Sequence, residues 1–599
     1  PENWERNQTR RDAILGNMLA EKMIDQAQYD EAIATPVNET TVIISEPKNG
    51  CLYATAAKFF CDYVLRNVPN LEALGATPEE RKANFALGGY DIYTTIDLDQ
   101  NNLAEQLLVA QTPPTETRFA LGSAVSTIQV GTGRIVVMAQ NKTYDNRDAA
   151  AGGGDPSTTS VNYNTDANYG GSSGFQPGSA YKLFTLIDWL EKGHGLNEQV
   201  DGNQKTYTPS MLKAKCAPNG SNYAVKNDGG GNRGRLSVSA ATAGSVNAAF
   251  YSMASKLDLC DIRDAATRMG VARADGDPLN TFPSIVLGTD EVSPLSMANA
   301  YATVANNGVL CTPIAVDRVV TAEGEELPGQ TSTCEQVIGP EIAHAAGKAL
   351  QGVMRGGTGA ASNPNDGTPL IGKTGTADAF HTWILSASTK VSSAVWVGNI
   401  SGQQSLRRIS VAGGQAATAR HRIMKPLQAA LDQGIGAGAT AFPEPPRSLV
   451  NGTGQAVPQL AGQTQDAAKK LVESLGFDFA VGATVASEVP AGRVVSSDPG
   501  GGALVSKGSL ITVTVSDGSL AVTMPNVVGQ RFDQAAGTLG GSGFDVGKVA
   551  INYVASDPKE TCTVTGSNPA AGAATSKAAS ITLTVNGGEL VPGRDPDCS

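Results

Sequence analysis

From Val457 onward the chain repeats itself, and a stretch that recurs is expected to fold as one unit each time. Val457-Pro458-Gln459-Leu460-Ala461-Gly462-Gln463 is matched by Met524-Pro525-Asn526-Val527-Val528-Gly529-Gln530. Leu475-Gly476-Phe477 is matched by Ser542-Gly543-Phe544, Asp498-Pro499 by Asn568-Pro569, and Ile511–Val515 by Ile581–Val585. Each unit is about 65 residues long, and the second half of the later one is offset by three extra residues. The pattern within a unit is an extended lead-in, a helix and short strands, with Pro458, Pro499, Pro525 and Pro569 marking turns. Residues 457–517 and 522–588 are therefore read as two small α+β domains, followed by a tail at 589–599. A Pro/Gly/Thr linker at 446–456 separates them from a large body at 115–445, and residues 1–114 form a mixed leading region.

The chain has 599 residues, room for several domains, and its 41% hydrophobic content is ample for packed cores. Only 17% is charged, while Gly, Ala, Ser and Thr abound, a mix that suits β-rich, loop-rich exported proteins. The net charge of −12 does not favour nucleic acid, and no basic run points to an anionic membrane patch. The stretch Leu236–Ser255 lacks charge but is too rich in Ser, Thr, Gly and Asn to span a bilayer. No signal peptide is visible, and the opening Pro1-Glu2-Asn3-Trp4 reads as that of a processed or truncated fragment.

Eight cysteines are spread as local couples, with no CxxC and no zinc-like spacing to the four histidines. No metal or other cofactor is expected. An even count of this kind points to disulfides and an oxidising compartment. The expected pairing is sequential: Cys51–Cys61, Cys216–Cys260, Cys311–Cys334 and Cys562–Cys598. Spacing alone leaves the connectivity open, and eight buried thiols are the alternative.

Residues 10–34 read as two helices, the second opened by an Asp25/Gln28 capping box. A strand at 90–95 and a helix from about Asp97 follow. In the body, strands are expected at 124–129, 135–138, 369–376, 382–387 and 392–399. Helices are expected near 180–192, 239–256, 260–270, 293–306 and 340–353. Helices set between split antiparallel strands imply an α+β domain with a helical half and a sheet half.

The chemistry begins at Pro177-Gly178-Ser179-Ala180-Tyr181-Lys182. Ser179 stands near the N-terminus of an apolar helix, where free N–H groups favour a developing anion. Lys182 lies one turn on, on the same face, and an amine held neutral can take the hydroxyl proton. S-x-x-K alone is a weak signal, since an N-cap serine beside a solvated lysine gives the same letters. Two later elements strengthen it: Ser245-Val246-Asn247, just before a helix, and Lys373-Thr374-Gly375-Thr376 on a strand. This order is the signature set of penicillin-binding proteins and serine β-lactamases.

Residues 115–445 resemble the transpeptidase domain of a class A penicillin-binding protein. The resemblance extends through Val286-Leu287-Gly288, Glu291–Ala298, Ala300-Tyr301-Ala302, Ala305-Asn306-Asn307-Gly308, Gly357-Thr358-Gly359 and Val395-Trp396-Val397-Gly398-Asn399. Residues 10–36 resemble the end of that family's glycosyltransferase domain. No glycosyltransferase motif is recognised, as expected of a chain cut at the domain border. The repeats resemble PASTA domains, which implies a Gram-positive, actinobacterial-like source. The implied fold is multidomain α+β: a penicillin-binding-protein/serine β-lactamase-like transpeptidase domain plus two small α+β PASTA repeats.

The resemblance also implies roles. Ser179 is the nucleophile that attacks the penultimate D-alanine, and Lys182 is the general base. Ser245 relays a proton to the leaving amine, helped by Lys373. Asn247 binds the substrate amide side, and Lys373, Thr374 and Thr376 the terminal carboxylate. Gly375 permits close backbone approach, and the N–H groups of Ser179 and Thr376 form an oxyanion hole. Strict alternation points Lys373 away from the two threonines, which the strand must reconcile. One departure is that Trp383 is followed by Ile384-Leu385-Ser386 rather than the family's aromatic-glycine pair.

The implied function is D,D-transpeptidation of peptidoglycan stem peptides through an acyl-enzyme, with β-lactams as inhibitors. It implies work at the extracytoplasmic face of the membrane and in the wall, with anchoring in a longer protein. A D,D-carboxypeptidase differs only in using water as acceptor. A β-lactamase needs a water-activating carboxylate, and no Glu-x-x-Leu-Asn element follows Ser245-Val246-Asn247. A non-catalytic β-lactam or muropeptide sensor is the third alternative. At the repeats the resemblance implies muropeptide binding, against which stands a spacer role held off the catalytic body. His381 is expected to be a loop histidine at the rim, and Trp4, Trp189, Trp383 and Trp396 to serve packing.

Overall fold

The apolar runs of the body form one five-stranded antiparallel sheet. A computed structural model describes residues 3–43, 50–147, 155–217, 220–452, 454–505, 508–555, 561–587 and Cys598. The tail expected at 589–599 thus lies outside the described residues apart from Cys598. The strands are β1 (Leu121–Gln129), β2 (Ile135–Gln140), β3 (Ile371–Ala377), β4 (His381–Ala387) and β5 (Val391–Asn399). Their order is β3-β4-β5-β1-β2, so the K-T-G strand is at an edge. Both faces are covered, which is why these segments read as near-continuous apolar runs rather than as alternation.

Alternation is still visible in where the side chains go. Trp383, Leu385, Ala394 and Trp396 join one core, while Ile384, Val391, Val395 and Val397 join the other. The first core is filled by helices α2 (Lys182–Glu191), α3 (Val238–Ala243), α4 (Asn247–Ala254), α5 (Leu259–Arg268), α6 (Pro294–Ala305) and α7 (Pro340–Arg355). The second is filled by α1 (Leu98–Gln111) and α8 (Ala419–Gln433). The expected helical half and sheet half are both present. The sequence reading missed α8, whose interior Pro426 ordinarily signals a helix break.

A second difference is functional. The helix expected near 239–256 is two helices, α3 and α4, broken at Ser245, which takes a left-handed backbone (φ 53°). Serine seldom adopts that region, so no periodicity rule anticipates the break.

The leading region has the two expected helices, Trp4–Ala20 and Gln26–Ala34, and both halves of the Asp25/Gln28 capping box form, at 2.8 and 2.9 Å. Farther on, Lys58–Asn67 packs its buried face into a third core, and Tyr90–Thr94 pairs antiparallel with Val316–Thr321. The four disulfides are Cys51–Cys61, Cys216–Cys260, Cys311–Cys334 and Cys562–Cys598, the sequential set. No helix among the described residues is long and apolar enough to cross a membrane.

Each repeat packs one helix, Gln465–Ser474 or Phe532–Gly541, on a three-stranded sheet. Val457, Leu460, Ala468, Val472 and Val513 build the first core, and Met524, Val527, Ala535, Leu539 and Leu583 fill the same positions in the second. The first repeat is not held off the body as a spacer would be. Arg235, on the strand leading into α3, pairs with Asp478 at 2.7 Å and donates to the Gly508 carbonyl at 2.8 Å. The chain leaves the body through the short helix Arg447–Asn451. There the Leu449 and Val450 carbonyls accept from the N–H groups of Leu196 and Asn197 at 2.9 and 2.8 Å.

The second core depends on α8. Leu427→Ala, at a fully buried position in it, is expected to lower stability by about 2–5 kcal/mol. Chemical denaturation of the variant against the wild type measures this.

Candidate active site

The nucleophile-bearing turn lies against the edge of the sheet with almost no room between them. Ser179 sits in a 3₁₀ turn, Gly178–Tyr181, that runs into α2. Gly178 has φ 56°, and a Cβ there would lie 2.5 Å from the Thr376 carbonyl oxygen. A Cβ on Gly375 would lie 2.0 Å from the Pro177 carbonyl oxygen. The close approach that Gly375 permits is thus to the chain's own backbone. Two buried donors hold the turn: the Trp383 indole N–H donates to Gln176 O at 2.8 Å and the Tyr301 hydroxyl to Ala180 O at 3.0 Å.

One turn on, Lys182 is 1% exposed. Its Nζ donates to Ser245 O at 2.8 Å and to Asn247 Oδ1 at 2.6 Å, with Ser245 Oγ 3.4 Å away. Burial, reinforced by the positive charge of Lys373, pulls its pKa well below the ordinary lysine range; Asp228 offsets this in part. A neutral amine has two N–H groups and a lone pair. Ser245 O and Asn247 Oδ1 accept from both N–H groups, leaving the lone pair for a proton.

The break between α3 and α4 presents Ser245 to two lysines. Its Oγ accepts from Lys373 Nζ at 2.7 Å, closer than Lys182 Nζ at 3.4 Å. Lys373 is also 1% exposed; burial, with the nearby Arg420 cation, brings it down to about 7. Here the alternation along β3 is reconciled. Lys373 does point away from Thr374 and Thr376, but its long side chain brings the amine round to Ser245. Asn247 is held at both ends, since its Nδ2 also donates to Lys226 O at 2.8 Å.

Thr374 Oγ1 lies 2.6 Å from Thr358 Oγ1, and Thr376 Oγ1 accepts from Arg420 Nη1 at 3.1 Å. Arg420, at the start of α8, also donates to Gly375 O. Burial lowers its pKa to about 10, which leaves it cationic at neutral pH. Ser179, Ser245, Asn247, Thr374, Thr376 and Arg420 line one groove of about 840 Å³. Its other charged residues are Lys226, Arg233, Arg407, Asp228 and Asp378, a cationic balance that favours a carboxylate-bearing ligand. Across its rim, Arg407 and Asp228 form a two-pronged ion pair at 2.7 and 2.5 Å.

The structure therefore brings Ser179, Lys182, Ser245, Asn247, Lys373, Thr374, Gly375 and Thr376 together. Arg420 and the Arg407–Asp228 pair were missed. No short motif marks them, and Arg420 opens the helix that Pro426 disguises. His381 is the first residue of β4 rather than a loop residue. Its Nδ1 accepts from Trp396 Nε1 at 3.3 Å, and burial lowers it to about 4. Trp189, Trp383 and Trp396 are fully buried, as packing residues are.

Known proteins share the domains of this chain. Residues 123–405 match the family model of the penicillin-binding protein transpeptidase domain, and residues 455–517 and 522–587 that of the PASTA domain. The chain is 30% identical over 225 residues to penicillin-binding protein 1A of Aquifex aeolicus, covering 37% of this chain and 29% of that protein. It is 27% identical over 402 residues to penicillin-binding protein 2D of Bacillus subtilis, covering 65% of this chain and 51% of that one. It thus spans about a third of the first relative's length and about half of the second's. The structure of PonA1 from Mycobacterium tuberculosis in complex with penicillin V shares the fold. Its TM-score is 0.50 at 23% identity, over 64% of this chain and 96% of that one. The chain carries a penicillin-binding transpeptidase domain and PASTA repeats.

The contact between the turn and β3 leaves no space for a methyl group. Gly375→Ala is expected to slow labelling by a fluorescent penicillin at least tenfold and to lower the melting temperature, since overpacking of this kind costs about 1–3 kcal/mol. Stopped-time labelling and thermal unfolding of the purified variant check both.

Proposed function

We propose that this chain, with its penicillin-binding transpeptidase domain, is a D,D-transpeptidase that cross-links peptidoglycan stem peptides through an acyl-enzyme at Ser179. β-Lactams acylate the same serine. The observation that carries this reading is the buried amine of Lys182 one turn from Ser179, its N–H groups engaged and its charge disfavoured.

Lys182 takes the Ser179 proton as Oγ attacks the carbonyl carbon of the penultimate D-alanine. The oxyanion that forms is held by the N–H groups of Ser179 and Thr376, whose backbones the Gly178 contact brings side by side. Such donors are worth about 3–4 kcal/mol. The tetrahedral centre collapses, the peptide bond breaks, and the terminal D-alanine amine leaves with a proton relayed through Ser245 from the lysine pair. An acceptor amine then attacks the ester and loses its proton by the same route, and Ser179 is regenerated. A β-lactam follows the first half, but its leaving nitrogen stays tethered by the opened ring, so the ester persists.

The substrate's terminal carboxylate is read by Thr374 and Thr376, with Lys373 and Arg420 supplying positive charge. The remaining amide hydrogen of Asn247 serves the peptide side chain. The division at 114, 445, 456, 517 and 588 belongs to this reading. So does an actinobacterial-like source, and so does a place on the outer face of the membrane, anchored through a longer protein. The four disulfides support an oxidising compartment. Muropeptide binding at the repeats is the remaining element of the proposal.

Fluorescent penicillin is expected to label the wild type and not Ser179→Ala; equal labelling of both refutes the reading. The label persists, whereas rapid loss marks a β-lactamase. Arg420→Leu is expected to reduce kcat/KM for acylation by a penicillin at least tenfold, about 1.4 kcal/mol. In the pH profile, acylation rises as Lys182 loses its proton, well below the pH at which an ordinary lysine does. It falls above about 7, where Lys373 loses its charge. Lys373→Arg moves that alkaline limb upward, measured as second-order labelling rate against pH.

A further inference from the structure

We propose that a second cavity, where the leading region meets the start of α6, is a binding site for a neutral saccharide. It measures about 580 Å³, within the roughly 300–1,000 Å³ of typical ligand pockets, and shares no lining residue with the catalytic groove. Four stretches of chain converge on it. They are the helix Lys58–Asn67 with the turns after it that carry Asn70 and Glu72, the turn at 165–169, the first turns of α6, and the pair of strand connections at 310–314 and 329–331.

Its charge is opposite in kind to that of the groove. Among the described residues no lysine, arginine or histidine lines it, and its two carboxyls are Glu72 and Asp166. An anion has nothing to pair with there, which excludes a β-lactam carboxylate, a peptide C-terminus and phosphate. Hydroxyl donors, by contrast, find two carboxyl groups, of which Asp166 already accepts from the Tyr169 N–H through one oxygen at 3.1 Å.

The rest of the lining fits the same ligand. The rings of Tyr63 and Tyr169 touch at 5.8 Å and 52°; Tyr63 is buried and backs Tyr169, whose half-buried ring is the aromatic surface left for the C–H face of a sugar. Asn70 Nδ2 donates to the Tyr169 hydroxyl at 3.2 Å and steadies that ring. Gln330 Oε1 accepts from the N–H groups of Ala315 and Val316 at 2.6 and 3.2 Å. This pins the side chain and leaves its amide N–H groups without a partner among the described residues. Carboxylate, fixed amide and the Tyr169 ring together form a surface for a polyhydroxylated, uncharged ring compound. The site does not depend on the chemistry proposed at Ser179.

Titration calorimetry of the full chain with chitotriose and with maltotriose tests this. Saturable binding of a saccharide is expected, weakened at least tenfold in both Tyr169→Ala and Glu72→Gln, with penicillin labelling of Ser179 unchanged. Glu72 is exposed, so its substitution keeps the test valid should Tyr169→Ala disturb folding and lose labelling. The proposal is overturned if neither saccharide binds saturably, if binding survives unchanged in Glu72→Gln, or if spermidine binds at the site in preference to both.

Discussion

The catalytic body depends on a contact between two stretches of backbone. Pro177 and Gly178 lie against Gly375 and Thr376 so closely that neither glycine tolerates a Cβ. This contact joins the helical half, which carries the nucleophile, to the edge strand of the sheet. Hydrogen bonds from Trp383 and Tyr301 to the backbone on either side of Ser179 hold it in place. An edge strand is ordinarily a liability, since its outer backbone groups are open to any other strand. Here that edge is occupied by the turn, and what remains open is the groove.

The second constraint is electrostatic. Two lysines, each almost wholly removed from water, flank one serine hydroxyl, and burial lowers both pKa values. Each cation also disfavours charge on the next group, Lys373 on Lys182 and Arg420 on Lys373. The row thus grades from a cation at Arg420, through an amine poised near neutrality at Lys373, to one at Lys182 whose charge is strongly disfavoured. Such burial costs stability, and it is tolerated because Ser245 O, Ser245 Oγ and Asn247 Oδ1 accept the hydrogen bonds.

Much of this was legible in the sequence because it is local. The repeat showed two small units, and the apolar positions Val457, Leu460, Ala468 and Val472 recur in the second core as Met524, Val527, Ala535 and Leu539. S-x-x-K, S-x-N and K-T-G each name residues that a single turn or strand holds together. Features that rest on distant partners were not legible. The left-handed Ser245 depends on what α3 and α4 pack against, not on its own propensity. Arg420 reaches the site because α8 lies on the far face of the sheet, and Pro426 conceals that helix. The Arg407–Asp228 pair joins two loops with no pattern of their own. His381 reads as a loop residue because it follows a turn, and the pairing of β4 with β5 makes it a strand residue.

The manner in which the tail is fastened has a mechanical consequence. The exit helix is gripped at Leu449 and Val450 by Leu196 and Asn197, just beyond the C-terminus of α2, and the first repeat is gripped by Arg235 at the lead-in to α3. Both fastenings are on the helical half. Tension along the tail therefore enters at the elements that carry Ser179 and Ser245, and it reaches the sheet that carries Lys373 through the core they share and through the backbone seam at Gly178 and Gly375. A pull on the repeats shears the two halves of the catalytic machinery against each other.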